Sequence, residues 1–469
     1  MYDLLLKGGH LVDPANGRNG RFDIGIRRGS IARIAPDIPR SEAAEVLNVS
    51  GLLVLPGLVD IHIHASSEFQ GRVAHRMLAL AGVTTALDMA GPIDDVLAIA
   101  RDHGAGINLA CLNRVKPGEM VGTADPSAGE LEAGIAAALE RGALGVKIMG
   151  GHYPLTPEAT GRVFEIANRL GAWAAIHCGS TRSRSDLTGL REALDLKGRN
   201  HVHIAHINSY CRGTVKEPQQ EALQAIEWLT EAENLVTESY LAVVNGTSGR
   251  CIDGVPESDR TRACLEQGGY PATEDGLRRA ILEGFGRVNV IEGDRAVLRT
   301  GPEAVAVWEA AGTNVGISFP VNPPLPRLML AAAKKRDGRF VVDALATDGG
   351  GIPRNFTISA GLRLVELEVL TMAEFVLKSC TVPARLLGLS SKGHLGEGAD
   401  ADVTVVDAAA AEVRTTIAAG QVVAHHGVVM GRSTRIITTE RGRSAVEAAG
   451  LQPVVTDLAK SGFYRRDRI

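Results

Sequence analysis

Two histidines occupy alternate positions in the stretch VDIHIHA, which covers residues 59–65. Successive side chains of a β-strand point to opposite faces, so His62 and His64 share one face while Ile61 and Ile63 share the other. Neutral imidazole is the commonest protein ligand for divalent metal ions, and two neighbouring rings can hold one ion. Two hydrogen-bonded core histidines would give the same pattern. Further ligands elsewhere in the chain decide between these interpretations.

Four more side chains with suitable chemistry stand where apolar runs end: Lys147 in LGVKIMG, His177 in AAIHCGS, His206 in HIAHINS and Asp348 in ALATDGG. Lys147 lies 30 residues before His177, and His177 lies 29 residues before His206. Both intervals fit one β-α-β step, which needs roughly 30 residues. We therefore expect these side chains to come from similar heights on neighbouring parallel strands and to converge with the two histidines.

Lys147 interrupts a strand that is otherwise built for burial. A buried ammonium is costly unless it is paired, and burial lowers a lysine pKa and leaves a nucleophilic amine. Such an amine can react with carbon dioxide to form a carbamate, whose two oxygens can bridge two metal ions. A lysine whose stem reaches water, or one in a salt bridge, is the simpler alternative when the residue is considered alone.

Asp348 is a carboxylate at the end of the last predicted strand. Beside a turn, an aspartate commonly caps a helix. Together with the histidines and Lys147, it can instead bind a metal ion and exchange a proton with bound water. The six groups together indicate a metal site more strongly than any one of them.

The elements that must position these groups alternate between strand-like and helix-like segments. The intervening segments contain good helix formers, with Ser or Thr near the start and Gly at the end. Eight parallel strands with crossovers predict an α/β fold of the (β/α)8 TIM-barrel type, whose active site lies at the C-terminal ends of the strands. The eight predicted strands are GLVDIHIHA, GVTTALDMA, GINLACLNRV, LGVKIMG, AWAAIHCGS, HVHIAHINS, LVTESYLAVV and VVDALATDGG.

Short β-rich runs at both ends of the chain predict a small β-sandwich completed by the two termini. The predicted organisation is a first sandwich part at 1–55, the barrel at 56–392 and a second sandwich part at 393–435. Residues 246–312 are too many for one crossover, and we expect this insertion to cover part of the substrate pocket. The tail at 436–469 is predicted to be a solvated arm, with an oligomer contact as the alternative.

Composition narrows the function classes. Lys and Arg total 50 against 54 Asp and Glu, a balance that gives no support for nucleic-acid binding. No secretory signal or membrane span is recognisable, and the six cysteines have no C-x-x-C spacing. We therefore expect a soluble cytoplasmic protein that acts on a small molecule, without nucleic-acid or membrane partners.

With these motifs in place, the sequence resembles the amidohydrolase superfamily, in particular its cyclic amidohydrolase branch of dihydropyrimidinases, hydantoinases, allantoinases and dihydroorotases. The resemblance covers nearly the whole chain. It rests on PGLVDIHIH, GVKIMG, AAIHCG, HIAHINS, the VTESYLA run, VNPPLP, ALATDGG and PARLLGLSSKGHLGEGADADVTVVD.

The resemblance implies a centre of two divalent metal ions. His62, His64 and Asp348 would hold one ion, His177 and His206 the other, and Lys147, as N6-carboxylysine, would bridge both together with a hydroxide. Zinc is the expected metal, while manganese, iron, cobalt and nickel also suit these ligands. The implied reaction is hydrolysis of an amide-type C–N bond in a hydantoin-like ring, with Asp348 as proton shuttle. Relatives also suggest a homodimer or homotetramer.

The chain departs from its relatives at positions that select the substrate. Dihydroorotases have an arginine at the position of Ser66, and relatives often have histidine at the position of Gly349. Hydantoinases have tyrosine at the position of His152, where this chain has Tyr153 next.

Further candidates for substrate contact are Asn322, Arg327 and Arg354, with solvated surface arginines as the alternative for the last two. A linear N-acyl amino acid, an isoaspartyl-type compound or a ring with C=S therefore remains an alternative substrate. A non-catalytic relative is the alternative from another class, and the six complete ligands argue against it.

Overall fold

The computed structural model describes residues 1–468, and its centre is a ring of eight short strands. Their side chains are buried on both faces, as expected for strands enclosed by helices. We number them in chain order: β1 Leu58–His64, β2 Val83–Asp88, β3 Asn108–Val115, β4 Gly145–Met149, β5 Trp173–His177, β6 Val202–Ile204, β7 Leu235–Tyr240 and β8, formed by Ala344–Ala346 and Gly349–Gly350.

The ring is closed by the two parts of β8. Residues 344–346 pair in parallel with β7, and residues 349–350 pair in parallel with β1. All the other neighbours from β1 to β7 also pair in parallel. The predicted (β/α)8 barrel is therefore confirmed, and all eight predicted strands are present.

A helix follows each barrel strand. Ser127 and Thr156 each accept a hydrogen bond from a backbone N–H in the first turn of the helix that they precede, at 3.2 Å. Within residues 1–468, the helices are too short or too polar to cross a lipid bilayer. The eight helices are Gly71–Leu80, Ile93–His103, Ala128–Glu140, Pro157–Arg169, Leu187–Leu196, Pro218–Glu231, Pro324–Ala332 and Thr357–Glu366. Two shorter helices follow, Met372–Val376 and Val382–Leu386.

The small β domain is built from both ends of the chain. Its nine strands form one hydrogen-bonded sheet that folds over an apolar core containing Leu6, Ile26 and Val405. The two ends meet where Leu53–Pro56 pairs antiparallel with Val403–Asp407. The other strands are Tyr2–Asp13, Arg18–Arg27, Ser30–Ala35, Ala43–Asn48, Glu412–Ala418, Gln421–His425 and Val428–Val429.

The insertion between β7 and its crossover helix Pro324–Ala332 is a small folded unit. It has its own apolar core around Trp308, Phe319 and Leu277. Its strands are Thr247–Ser248, Cys251–Ile252, Val255–Pro256, Arg287–Glu292, Arg295–Arg299 and Gly316–Ser318, and its helices are Asp259–Gln267, Glu274–Leu282 and Gly301–Ala310.

The C-terminal tail packs against the barrel, so the expectation of a solvated arm is wrong. Arg435–Thr438 adds to the edge of β3 in parallel, and the strand Pro453–Val455 pairs with it. The ring of Phe463 stacks on that of Trp173, with 4.3 Å between centroids, and both side chains are fully buried. The tail contributes aromatic surface that covers the start of β5. The helix Arg443–Ala448 connects the two tail strands.

Lys378 is fully buried between the helices Met372–Val376 and Val382–Leu386, with its ammonium donating to the carbonyl of Val342 at 2.6 Å. Burial lowers the pKa of Lys378 to about 7, although Asp343 and Glu374 oppose this shift. In the unfolded chain the pKa is roughly 10.4. The unfolded chain therefore binds more protons between these values, and the cost of burying Lys378 falls as pH rises from 7 to 10.

We expect Lys378→Met to raise the free energy of unfolding most at pH 7 and below, by at most about 5 kcal/mol at 1.36 kcal/mol per pKa unit. The difference in melting temperature between variant and wild type, measured by calorimetry from pH 6 to 10, should shrink as pH rises. A difference that is constant over this range would show that the pKa of Lys378 is not lowered.

Candidate metal centre

The six predicted ligands converge at the C-terminal end of the barrel. The amine of Lys147 lies 2.9 Å from Nε2 of His62, and the same imidazole nitrogen lies 3.3 Å from Oδ1 of Asp348. Nε2 of His64 donates to Oδ1 of Asp348 at 2.8 Å. These four side chains form one continuous cluster.

His177 and His206 form the neighbouring pair. Nδ1 of His177 lies 3.0 Å from Nε2 of His206, and the His206 ring stacks on that of His62, with 5.2 Å between centroids. One nitrogen each of His62 and His206 and one carboxylate oxygen of Asp348 lie within 4.8 Å of one another. His62 and His206, which the resemblance assigns to different ions, therefore lie next to the same candidate metal position.

The backbone at two of these residues is unusual for non-glycine residues. His206 has φ of 35° and Asp348 has φ of 52°, both in the left-handed region. Such conformations cost of order 1–3 kcal/mol and cluster at functional sites. They end β6 and interrupt β8, and they turn both side chains towards the cluster.

Glu238, on β7, contacts the histidines from the side away from the cavity, and it is not among the residues predicted from the sequence. Its Oε1 accepts from Nδ1 of His62 and from the backbone N–H of His206, both at 2.6 Å. With Nδ1 of His62 donating to Glu238, the lone pair of Nε2 is left to face the cluster. A carboxylate within the apolar run LVTESYLAVV is the same kind of signal as Lys147 in its strand, and it could have identified Glu238.

Burial sets the protonation of the cluster. It lowers the pKa of His62, His177 and His206 well below the usual value, so these rings are neutral at pH 7. Burial also lowers the pKa of Lys147 to about 8, against the opposing effects of Asp348 and Glu238. Neutral imidazole is the form that binds a metal, and a neutral amine is the form that reacts with carbon dioxide.

Asp348 is held in its ionised form. Burial would raise its pKa, but Arg354, His62 and His64 outweigh burial and hold the pKa well below its usual value. Nη2 of Arg354 lies 2.6 Å from Oδ2 of Asp348, and Nε of Arg354 donates to the backbone carbonyl of Asp348 at 2.5 Å. Arg354 thus fixes both the charge and the direction of this carboxylate.

The donor set fits divalent cations. Nδ1 of His64, Nδ1 of His206 and Oε2 of Glu238 are buried without a hydrogen-bond partner among residues 1–468. Buried polar atoms normally have such partners, so unsatisfied atoms beside neutral imidazoles and a carboxylate leave coordinating capacity. His62, His64, His177, His206, Asp348 and Lys147 would hold the ions.

A cavity of about 720 Å³ opens above the cluster. This volume suits a small-molecule ligand. The insertion forms one wall with residues such as Thr247, Ser258 and Arg260, as the sequence predicts. Gly151 lies so close to His177 that a β-carbon there would collide with the imidazole.

The other predicted substrate contacts divide into two groups. His152, Tyr153 and Arg354 line the cavity, and the His152 ring lies 5.1 Å from that of His177. Ser66, Asn322 and Arg327 do not belong to its lining.

The three residues outside the lining are buried or hydrogen-bonded within the protein. Ser66 is fully buried, and Arg327 donates to the backbone carbonyls of Pro323 and Leu241. Asn322 is buried and accepts from Nε of Arg212 at 2.9 Å. Both guanidinium groups donate to acceptors of the protein, and Arg354 also lines the cavity, so substrate contact by these two arginines stays a prediction.

Comparison with known proteins is consistent with this architecture. A family model described as "Amidohydrolase family" matches residues 326–423. A dihydroorotase of Geobacter metallireducens is 24% identical over 444 residues, which cover 86% of this chain and 90% of that protein.

Two solved structures share the fold. An N-acyl-D-glutamate deacylase from Bordetella bronchiseptica, complexed with zinc and a phosphonate inhibitor, has a TM-score of 0.67 and 16% identity over 93% of this chain and 99% of the other. A dihydropyrimidinase from Brevibacillus agri has a TM-score of 0.59 and 16% identity over 92% and 97% of the two chains.

Proposed function

We propose that this chain is a metal-dependent hydrolase of the amidohydrolase superfamily, and that it cleaves an amide-type C–N bond in a cyclic amide or ureide, such as a hydantoin-like ring. The matches to the amidohydrolase family model, to a dihydroorotase and to a dihydropyrimidinase support this proposal. One observation carries the proposal. At the floor of a ligand-sized cavity, Nε2 of His62 lies within 3.3 Å of both the amine of Lys147 and the carboxylate of Asp348, although the three residues are far apart in the sequence.

Two divalent ions complete the proposed site. His62, His64 and Asp348 would hold one ion, His177 and His206 would hold the other, and Lys147, as its carbamate, would contribute to both. Zinc is the expected metal, since the similar deacylase was solved with zinc. When bound, such ions polarise a carbonyl oxygen and lower the pKa of water. The carbamate forms when the neutral amine adds to carbon dioxide and loses one proton to solvent.

The protein groups position the reactants and move the proton. Asp348 accepts the proton of the attacking water and donates it to the leaving nitrogen. Arg354 and His64 keep its carboxylate aimed at the cavity. Glu238 fixes the tautomer of His62, and His152 or Tyr153 at the cavity wall is suited to donate to the developing oxyanion.

Hydrolysis of a linear N-acyl amino acid is the second candidate. It is favoured by the likeness to the N-acyl-D-glutamate deacylase, whose TM-score exceeds that of the dihydropyrimidinase. The cavity is also large enough for an extended acyl group. An isoaspartyl-type compound and a ring with C=S are further candidate substrates, and the rate screen described next includes them.

A rate screen over cyclic ureides, thiohydantoins, isoaspartyl-type compounds and N-acyl amino acids distinguishes these candidates. We expect protein purified without chelator to hold about two metal equivalents per chain, to hydrolyse cyclic ureides fastest and to lose activity when the metal is removed. Fastest turnover of the linear compounds would favour the second candidate. Metal-free protein with no turnover of any class would contradict both. A homodimer or homotetramer stays a prediction that sedimentation can test.

A further inference from the structure

Most charged residues around the cavity already have a partner of opposite charge. Arg114 pairs with Glu68 at 2.5 Å, Arg250 with Glu257 at 3.4 Å and Arg354 with Asp348 at 2.6 Å. Lys116 pairs with Glu119, and Asp259 pairs with Arg262. These pairs neutralise the acids of the wall as well as most of its bases.

Two guanidinium groups in the wall remain without an acidic partner. Within the part of the chain from 1 to 468, neither Arg212 nor Arg260 has a carboxylate oxygen within 4.0 Å. Arg212 is buried and donates only to neutral oxygens, that of Asn322 at 2.9 Å and the hydroxyl of Tyr240 at 3.0 Å. Its charge is positioned by these bonds but is not neutralised.

Arg260 reaches the site from the insertion. It is half-buried, its Nε is inaccessible to solvent and has no hydrogen-bond partner, and its Nη1 has only one long contact, at 3.4 Å, to the carbonyl of Ser185. The hydroxyl of Ser185 in turn lies 2.7 Å from Nε2 of His177. Arg260 is therefore anchored beside the candidate metal centre with donors left over.

The two arginines are close enough to affect one another. Burial, and after it the charge of Arg212, lowers the pKa of Arg260. A buried charge is costly unless it is paired, and two uncompensated cations beside a cavity raise this cost. A bound anion would satisfy the donors and neutralise the charge, since guanidinium binds a carboxylate in a two-pronged geometry.

We propose that Arg212 and Arg260 form an anion subsite, and that the substrate carries a carboxylate that docks there while its amide lies over the metal centre. The anion subsite itself is independent of the proposed function, whereas the placement of the substrate amide over the metal centre rests on it. It also assigns a role to the insertion, which delivers one of the two cations.

The test uses matched acid and amide probes: hydantoin-5-acetate with hydantoin-5-acetamide, and N-acetylalanine with N-acetylalaninamide. The affinity for each probe is measured by calorimetry, and the rate of its hydrolysis is measured in a parallel assay. We expect wild type to bind at least one acid about tenfold or more tightly than its amide, the scale of a hydrogen-bonded charge pair. Arg260→Met should abolish this preference, and Arg260→Lys should keep part of it.

Arg279→Met is the matched control. Arg279 lies in the same insertion, is exposed and pairs with Glu283, outside the cavity lining, so its loss changes the net charge by the same amount without altering the cavity wall. Equal affinity for acid and amide in wild type, no binding of either acid, or an unchanged preference in Arg260→Met would overturn the subsite. Preferential binding of acids without any hydrolysis would uphold the subsite and count against the proposed function.

Discussion

Replacing Lys147 with alanine is expected to give a folded protein with little bound metal and hydrolysis reduced at least about 10³-fold. This loss corresponds to roughly 4 kcal/mol of transition-state stabilisation at 1.36 kcal/mol per factor of ten. The measurement is metal content by mass spectrometry together with kcat on the best substrate of the screen, with circular dichroism to verify folding.

The physical reason is that the proposed bridge between the two halves of the site passes through this one side chain. Lys147 is 1% exposed, and among residues 1–468 its amine has an imidazole neighbour, His62, but no carboxylate within 4.0 Å. Without the carbamate, His177 and His206 would have to hold the second ion as two neutral ligands, which is too few for a stable site.

Lys147→Met is the matched control, because it removes the amine and keeps most of the volume. Both variants should lose metal, but only the alanine variant leaves space for a small acid. Formate, acetate or propionate is therefore expected to restore part of the metal binding and activity of Lys147→Ala and none of Lys147→Met. Normal metal content and full activity in Lys147→Met would refute the bridging role.

The strand order and the convergence of the cluster could be predicted from spacing alone. Lys147 on β4 is in register with Ala175 on β5, so His177 lies two residues nearer the C-terminal end of the barrel. A repeat of about 30 residues therefore identifies neighbouring strands and an approximate height. It does not specify which side chains pair behind the site, and this is why Glu238 was missed.

The charges of the cavity wall could not be predicted, because they depend on pairing between segments distant in sequence. Arg354 stands six residues after Asp348, and the turn of β8 places its guanidinium on that carboxylate at the cavity wall, a pairing that no sequence pattern indicated. Arg260 lies in an insertion whose path over the barrel has no repeat to indicate it. The tail was also misjudged, since Phe463 contacts Trp173 nearly 300 residues earlier.

Asp348→Asn carries the second large expected effect, a fall in kcat of roughly 10³-fold or more with a much smaller change in KM. The amide keeps the shape of the carboxylate but cannot accept the proton of the attacking water or return it to the leaving nitrogen. It also leaves Arg354 without its anionic partner, so Arg354→Met measures how much of the loss comes from that arginine alone.

Substrates with different leaving groups distinguish a proton-transfer role of Asp348 from a purely structural one. A nitrogen that bears an electron-withdrawing aryl group departs with little need for protonation, whereas an alkyl nitrogen needs the proton. We expect Asp348→Asn to lose at least tenfold less activity on versions of the best substrate whose leaving nitrogen carries such an aryl group than on the matching alkyl versions, while Arg354→Met loses the same activity on both. An equal loss on both classes would mean that Asp348 only holds metal, because a missing ligand weakens catalysis whatever group departs.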